Sequence, residues 1–522
     1  MSLKLPRLQI ILDLVFLILV TAIATYFRFY NLSHNPGLYN DEGTLLNIAI
    51  NLFHGRMEYL GIQGSWLLAG RMPIFPWLLS LSYHYFEPSL LVLRIFTTTS
   101  GVFSVILLFL FLRSISDTRL QYLKYLSPLI LALHPKFVLF NRIGFGYNLL
   151  IPITIIVIWL FWLYLESKQD RWLILASITT GVGSLIELAY ISFLISLVLF
   201  VFIVNPKKAP LVILLSFTPL LMYFIVSYWL YGDAFLFDWQ VTFERGTSFP
   251  IVHQIAHIIL NFIFFVVENS FVLIGIFGIM SLPNRKLGGL LFFCILLPFL
   301  ITTRTFSTLR HSFYYFLAYT PLIAIGISNF VYQISKWVSS FTSDLITLSL
   351  QKKLSNELIR PLRIIFFDVI IFFTVIAPMF FLIINLNQEI KQSFRTSFDN
   401  LLINVSEFNI IFNYIQKTVN STDLIIASPA IAWAFPSNVT DYQISIAVNE
   451  SPTIHFPSGI PEERMRFESS LEIAKYVVVD SIMRSWQDSQ IPGIESWIRK
   501  IEATWLPVAK TKSIVIYRNP SR

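Results

Sequence analysis

The sequence predicts a polytopic α-helical membrane protein of about eleven transmembrane helices that ends in an extracytoplasmic α/β domain. Three observations lead there. Of 522 residues, 55% are hydrophobic and only 13% are charged, and the mean hydropathy is +0.68, which excludes a soluble or a disordered chain. Apolar runs long enough to cross a hydrocarbon core as helices recur up to residue 385. From 386 to 522 those runs shorten and polar residues rise, as in a domain that faces water.

The candidate spans lie near 9–27, 89–112, 123–140, 147–165, 172–188, 189–204, 211–231, 253–277, 287–302, 312–334 and 363–385. No polar loop divides the fifth from the sixth. Lys4 and Arg7 before the first run resemble the head of a signal peptide, and Ala22-Ile23-Ala24 offers small residues for cleavage. The run is long for a signal core and many spans follow it, so an uncleaved first span is the better reading. Basic residues set the orientation. Lys4 and Arg7, then Arg113, Arg119 and Lys124, then Lys168 and Arg171 share one side if the spans alternate. Lys207 and Lys208, Arg285 and Lys286, and Lys336, Lys352, Lys353 and Arg360 fall there too. The positive-inside rule makes that side cytoplasmic, with the N-terminus in the cytoplasm and the C-terminal domain outside.

The glycosylation sequons at Asn31, Asn404, Asn420, Asn438 and Asn449 all fall in segments placed outside, which agrees and suggests an N-glycosylating organism. The formal net charge of +8 does not indicate nucleic acid, because the basic residues sit in short clusters between apolar runs. Cys294 is the single cysteine, so disulfides and cysteine metal sites are excluded. In the C-terminal domain Phe408–Val419 reads as an amphipathic helix. Asp423–Ala427, Tyr442–Val448, Tyr476–Asp480 and Ser513–Tyr517 read as strands, with a helix at Trp497–Ala503. The expected place is an integral protein of the cell membrane, or of the ER membrane in a eukaryote.

Candidate chemistry gathers in the first outer loop, roughly 28–88. Asp41 and Glu42 head an apolar face at helical spacing (Leu45, Leu46, Ile48, Ala49, Leu52, Phe53), and His54-Gly55 ends it. Such a helix is expected to lie along the membrane interface. A carboxylate there suits a general base for an incoming hydroxyl. The plain alternative makes Asp41 an N-cap and Glu42 a first-turn acid favoured by the helix dipole. Further on, Pro73 and Pro76 start a helix behind Arg71. Arg71 either bonds lipid headgroups or grips the phosphate of a lipid-linked substrate, since its fork fits phosphate oxygens.

Two more outer junctions carry cations: Asn141-Arg142-Ile143-Gly144-Phe145-Gly146-Tyr147, and Arg304 through Arg310-His311, followed by Phe313-Tyr314-Tyr315. They are topological caps and an aromatic belt, or further phosphate ligands; the positive-inside rule disfavours arginine here, which strengthens the second reading. Asp13 and Arg94 read as helix-packing groups, and Glu187 at an outer helix end is an added candidate. No histidine pair has metal-ligand spacing and no glycine-rich nucleotide loop appears.

These features resemble the GT-C class of polytopic glycosyltransferases, closest to the group of dolichyl-phosphate-mannose protein mannosyltransferases and lipid A aminoarabinose transferases. The resemblance rests on three features: Asp41-Glu42; the segment Arg71-Met72-Pro73-Ile74-Phe75-Pro76-Trp77, which is similar to Lys-Pro-Pro-Leu-Tyr-Pro-Trp; and Arg310-His311 with Tyr315 and Pro321. It implies a GT-C-like fold and inverting transfer of a sugar from a polyprenyl (dolichyl-type) phosphate to a hydroxyl of a protein, glycan or lipid acceptor. It also implies Asp41, with Glu42, as catalytic, and Arg71, Arg142, Arg310, His311 and Tyr315 as holding the donor phosphate. Tyr147 stands where many relatives carry an acid, so no cofactor is called for and a divalent metal is not indicated. A secondary transporter would favour repeated halves and polar sites near mid-bilayer, and neither is seen. A non-catalytic receptor or assembly subunit is the other alternative.

Overall fold

The computed structural model describes residues 5–64, 71–244, 251–305, 310–350, 369, 373, 377–391, 402–435, 438–448 and 451–522. α1 (Leu5–Phe29) leads into a first loop that holds α2 (Asn40–Phe53) and α3 (Ile74–Ser82). The bundle continues through α4 (Leu90–Ser114), α5 (Leu123–Leu133), α6 (Pro135–Asn141), α7 (Tyr147–Ser167), α8 (Asp170–Ser184) and α9 (Ile191–Val204). It closes with α10 (Ala209–Tyr231), α11 (Asp233–Glu244), α12 (Ile251–Glu268), α13 (Ser270–Met280), α14 (Arg285–Thr305) and α15 (Thr320–Leu350).

Among the described residues five helical stretches are long and apolar enough to cross a membrane alone, and seven if each of two bent pairs forms one span. The eleven expected segments are therefore not eleven straight spans. The segment 123–140 bends by 58° between α5 and α6, where Pro135 removes a backbone donor and restricts His134 before it. The segment 253–277 bends by 90° at Asn269, whose side-chain amide donates to the Phe265 carbonyl at 3.0 Å and competes with the helix ladder. The fifth and sixth segments are α8 and α9, parted by a turn at Leu185–Glu187. The last expected span, 363–385, lies largely outside the described residues; 377–391 is helical. Outward-facing apolar side chains on α1 (Leu8, Ile11, Leu19) and α10 (Leu214, Leu221, Trp229) are stable only against lipid, so this is an integral membrane protein. Asp13 packs helices together as expected: Lys124 lies 3.0 Å and Arg113 3.3 Å from it, joining α1, α4 and α5.

The C-terminal α/β domain is built on a sheet of β5 (Leu424–Ile426), β6 (Asn438–Thr440), β7 (Tyr476–Val479), β8 (Leu506–Lys510) and β9 (Val515–Arg518). Its strand order is β6-β5-β7-β9-β8, with β6, β5 and β7 parallel and β9 antiparallel to both neighbours. Residues 442–448, expected as a strand, form a helix. Asp441 starts it, accepting from the Gln443 N–H at 3.1 Å, and Tyr442–Ala447 are all buried, so the apolar pattern carried no period. The strand lies just before it, at β6, and β8 was not anticipated.

This domain is stitched to the first loop, and α2 packs against it. β1 (Leu38–Tyr39) pairs with β4 (Leu402–Ile403), directly ahead of Asp41. The α2 backbone meets the short helix Pro429–Ala432 so closely that a Cβ on Gly43 would lie 1.9 Å from the Pro429 carbonyl oxygen; only glycine fits. The hairpin of β2 (Glu58–Tyr59) and β3 (Ile62–Gln63) takes a bond from the Arg466 N–H to Gly61 at 2.9 Å.

Candidate functional site

Asp41 lies in the first turn of α2 and Arg71 in the bend before α3; their side chains meet at 2.6 Å. The pair is the centre of the site because it stays partly open, with Asp41 26% and Arg71 12% exposed. Arg71 Nη2 holds Asp41, while its buried Nε has no hydrogen-bond partner. Burial opposes the charge on Arg71, but the pull of Asp41 and then Glu187 outweighs it and holds the guanidinium above its ordinary range. Asp41 is not the N-cap: Tyr39 holds that position.

Glu42 follows Asp41 in sequence but points elsewhere. It is fully buried and gripped on both oxygens, by Arg94 Nε and Nη2 at 2.8 Å each, by the Gly144 N–H at 2.7 Å and by the Tyr39 N–H at 2.9 Å. Arg94 also donates to the carbonyls of Leu32 and Gly37. Four donors fill the acceptor sites of this carboxylate, so Glu42, expected to be catalytic beside Asp41, is placed here as a buried structural anion. The clamp ties α4 and the Gly144 turn to the base of α2, and so places Asp41.

Arg142, expected to hold the donor phosphate, does not join the Asp41–Arg71 pair. It is wholly buried, and its guanidinium donates to the carbonyls of Phe27 (2.8 Å), Tyr30 (2.8 Å) and Arg28 (3.2 Å) and to the Asn35 side chain (3.1 Å). These include the last carbonyls of α1, which lack helical partners, so Arg142 caps that helix. The structure keeps this arginine inside the protein instead of offering it to lipid.

Opposite Asp41 stand three tyrosines and one acid. The Tyr147 ring is 5.3 Å from Tyr315 and 5.4 Å from Tyr314, and Tyr314 packs 4.8 Å from Phe145. Tyr315 lies within electrostatic reach of Asp41, Arg71 and Glu187. Glu187 sits in the turn between α8 and α9, only 4% exposed. Its burial raises its pKa to about 7, with Arg71 opposing and Asp41 adding. Two observations fix this acid. The Ile74 N–H donates to the Leu185 carbonyl at 3.1 Å, tying the Arg71 bend to the Glu187 turn. Gly146 leaves room for the carboxylate: a Cβ there would lie 2.3 Å from Glu187 Oε1. Thus the place next to Tyr147, where the sequence offers no acid, is filled by an acid from another loop. The side chains of Arg310 and His311 lie outside the described residues, although Arg310 begins the 3-10 helix Arg310–Tyr319 that carries Tyr315.

Residues 71–230 match the family model described as dolichyl-phosphate-mannose-protein mannosyltransferase. By sequence no curated protein matches the chain. By structure it is similar to ArnT from Cupriavidus metallidurans bound to undecaprenyl phosphate, with a TM-score of 0.59 at 11% identity, covering 98% of this chain and 97% of that one. It is also similar to the apo oligosaccharyltransferase of Archaeoglobus fulgidus (TM-score 0.55, 14% identity, 93% of this chain and 72% of that one). The oligosaccharyltransferase AglB of that organism, in complex with an inhibitory peptide and a dolichol-phosphate, matches with a TM-score of 0.53 at 13% identity, covering 97% and 74%. The chain has the GT-C fold.

Within this GT-C fold, Asp41, Arg71, Tyr315 and the added candidate Glu187 from the sequence reading come together, and Glu42 and Arg142 do not. Tyr314 and the site role of Tyr147 were not anticipated. The signal for Glu187 was present in the Gly-Phe-Gly spacing of 144–146, where two small residues mark a close approach by another chain segment. Among the described residues no group of three or more His, Cys, Asp or Glu is placed to hold a metal ion.

Proposed function

We propose that this protein is a polyprenyl-phosphate-dependent glycosyltransferase that acts on the extracytoplasmic side, with its N-terminus in the cytoplasm. The observation that carries the reading is the Asp41–Arg71 pair, joined at 2.6 Å with the Arg71 Nε unpartnered. A guanidinium in this state can keep one carboxylate on Nη2 while its Nε takes a phosphate oxygen. The base and the donor phosphate are then held by the same guanidinium.

In the reaction, an acceptor hydroxyl gives its proton to Asp41 as its oxygen attacks the anomeric carbon. The bond from that carbon to the phosphate oxygen breaks, and polyprenyl phosphate leaves with the electron pair. Attack from the face opposite the leaving group inverts the anomeric centre. The sugar passes through an oxocarbenium-like state, and the phosphate gains one negative charge. Arg71 stabilises that growing charge, and Arg310, His311 and the Tyr315 hydroxyl are proposed to assist it. Glu187 lies within electrostatic reach of Arg71 and favours its charge. The GT-C fold supports this reading, as does the ArnT structure bound to undecaprenyl phosphate.

The test is transfer of radiolabelled sugar by the purified protein in lipid, from polyprenyl-phosphate sugars to candidate acceptors. Asp41→Asn should abolish turnover and leave donor binding intact, since the amide keeps the shape and loses the basicity. Full turnover in that variant would remove Asp41 from the mechanism.

A further inference from the structure

A cavity of about 590 Å³ lies beside α2, and none of Asp41, Arg71, Glu187 or Tyr315 lines it. One wall is α2 with the β2 strand, through Asn47, Asn51 and Glu58; the other is the C-terminal domain, through Trp433, Phe435 and the edge strand residue Asn438. We propose that this cavity binds a neutral oligosaccharide, the sugar chain of the acceptor. The occupant named here rests on the transferase reading; the presence of a saccharide site does not.

The chemistry of the walls narrows the ligand. The charged side chains are partly committed, although the buried Nε of Arg466 has no hydrogen-bond partner. Arg466 lies 3.3 Å from Glu58 and also donates to Asn438 Oδ1 at 3.3 Å, and Arg56 donates to Asn51 Oδ1 at 2.9 Å. An anion would have to compete with these partners. The other uncommitted groups are amide donors. Asn47 spends its oxygen on the Leu60 N–H (3.1 Å) and the Asn51 amide (3.2 Å), and Asn438 spends its oxygen on Arg466. The amide nitrogen of Asn47 remains for a ligand with hydroxyl acceptors, as does that of Asn438 when its sequon carries no glycan.

Beside them is a rigid aromatic surface. The Trp433 indole N–H donates to the Ala430 carbonyl at 2.8 Å, and its ring packs 5.7 Å from Phe408 at a 29° tilt. The half-exposed remainder of that ring lines the cavity. Amide donors next to a fixed indole suit a pyranose, whose hydroxyls accept the N–H bonds while its C–H face lies on the ring. A lipid tail would not satisfy the polar wall, and the volume falls in the range of small-ligand sites.

Position links this cavity to the reaction site. Asn47 is six residues along α2 from Asp41, about 9 Å of axial rise and about a third of a turn around the helix, so a sugar chain that reaches both must curve around α2. The helix Pro429–Ala432 touches both ends: the Ala430 N–H donates to Asn40 Oδ1 at 3.3 Å, next to Asp41, while Trp433 follows at its C-terminus. An acceptor glycan seated here would hold its terminal hydroxyl toward the base, and selection among acceptors would be made away from the reacting atoms.

The experiment is saturation-transfer NMR and titration on the full chain in lipid nanodiscs, with α-mannotriose, maltotriose, chitotriose and inorganic phosphate as probes. We expect at least one trisaccharide to bind. Trp433→Ala and Asn438→Asp should each weaken it by about tenfold or more, the second because it keeps the oxygen that faces Arg466 and removes the amide donor. Thermal midpoints verify folding, and Asn438→Asp serves if Trp433→Ala fails to fold. Binding of no trisaccharide, binding of phosphate alone, or unchanged affinity in the folded variants would overturn the proposal. Binding is read without turnover, so an inactive protein that still binds sugar would overturn the transferase reading instead.

Discussion

Gly146→Ala is the sharpest probe of the site because it changes one methyl group on a residue that touches no substrate. At φ −57° and ψ −31° the Gly146 backbone suits alanine. By conformational entropy alone the change would stabilise the chain by up to about 1 kcal/mol. The cost is steric and local. The new Cβ would lie 2.3 Å from Glu187 Oε1 and 3.1 Å from its carboxyl carbon, against an ordinary contact of about 3.5 Å. Glu187 is 4% exposed and has no solvent to retreat into, so its carboxylate must move by about 1 Å. Arg71 then loses the second of its two anionic supports. A displacement of that size at a positioned group lowers turnover by about a hundredfold. The assay is kcat/KM for sugar transfer from a polyprenyl-phosphate donor, with the thermal midpoint measured alongside. The double variant Gly146→Ala with Glu187→Ala should be no slower than Glu187→Ala alone, since the methyl has nothing left to displace. A Gly146→Ala protein with wild-type kcat/KM would refute the role given to Glu187.

The remaining predictions concern the frame around the site. Arg94→Met leaves the Glu42 carboxylate buried without its cation and should cost about 3–5 kcal/mol, seen as a large drop in thermal midpoint; an unchanged midpoint would show the clamp to be dispensable. Asp441, at the end of β6, is pushed up to about 8 by burial, with backbone N–H groups opposing and Asp480 adding. A carboxyl raised in the folded state binds more protons there than in the unfolded chain. Its contribution is therefore fully present at acid pH and is lost as pH rises from about 4 to 8, with a slope of at most about 1.4 kcal/mol per pH unit. Asp441→Asn should flatten the fall of the thermal midpoint across that window, and a profile parallel to wild type would reject the assignment.

The bundle was legible because burial in lipid imposes one rule on every span: long apolar runs with basic residues between them. The runs at 89–112, 147–165 and 211–231 became α4, α7 and α10 with small shifts at their ends. The Asp41–Arg71 neighbourhood was also legible, since a polar loop stands out against such a background and its prolines mark where a helix starts. Bends were harder. Pro135 was visible, but Asn269 breaks its helix through a side-chain bond that spacing does not reveal. Residues 442–448 misled because a segment buried on all sides shows neither helical nor strand period.

Sequence alone thus determined the class of protein, the loop that holds the candidate site and the residue types within it, because transfer into lipid selects on composition, segment by segment. Which charges are free was decided only in three dimensions. Asp41 and Glu42 are adjacent, yet one remains open while the other is consumed by Arg94. Arg71 and Arg142 are the same residue type, yet one lacks a partner at Nε while the other is spent on the carbonyls at the end of α1. A side chain's availability depends on which distant donors and acceptors packing brings to it. Glu187 shows this most plainly, since it reaches the site across the gap that Gly146 leaves.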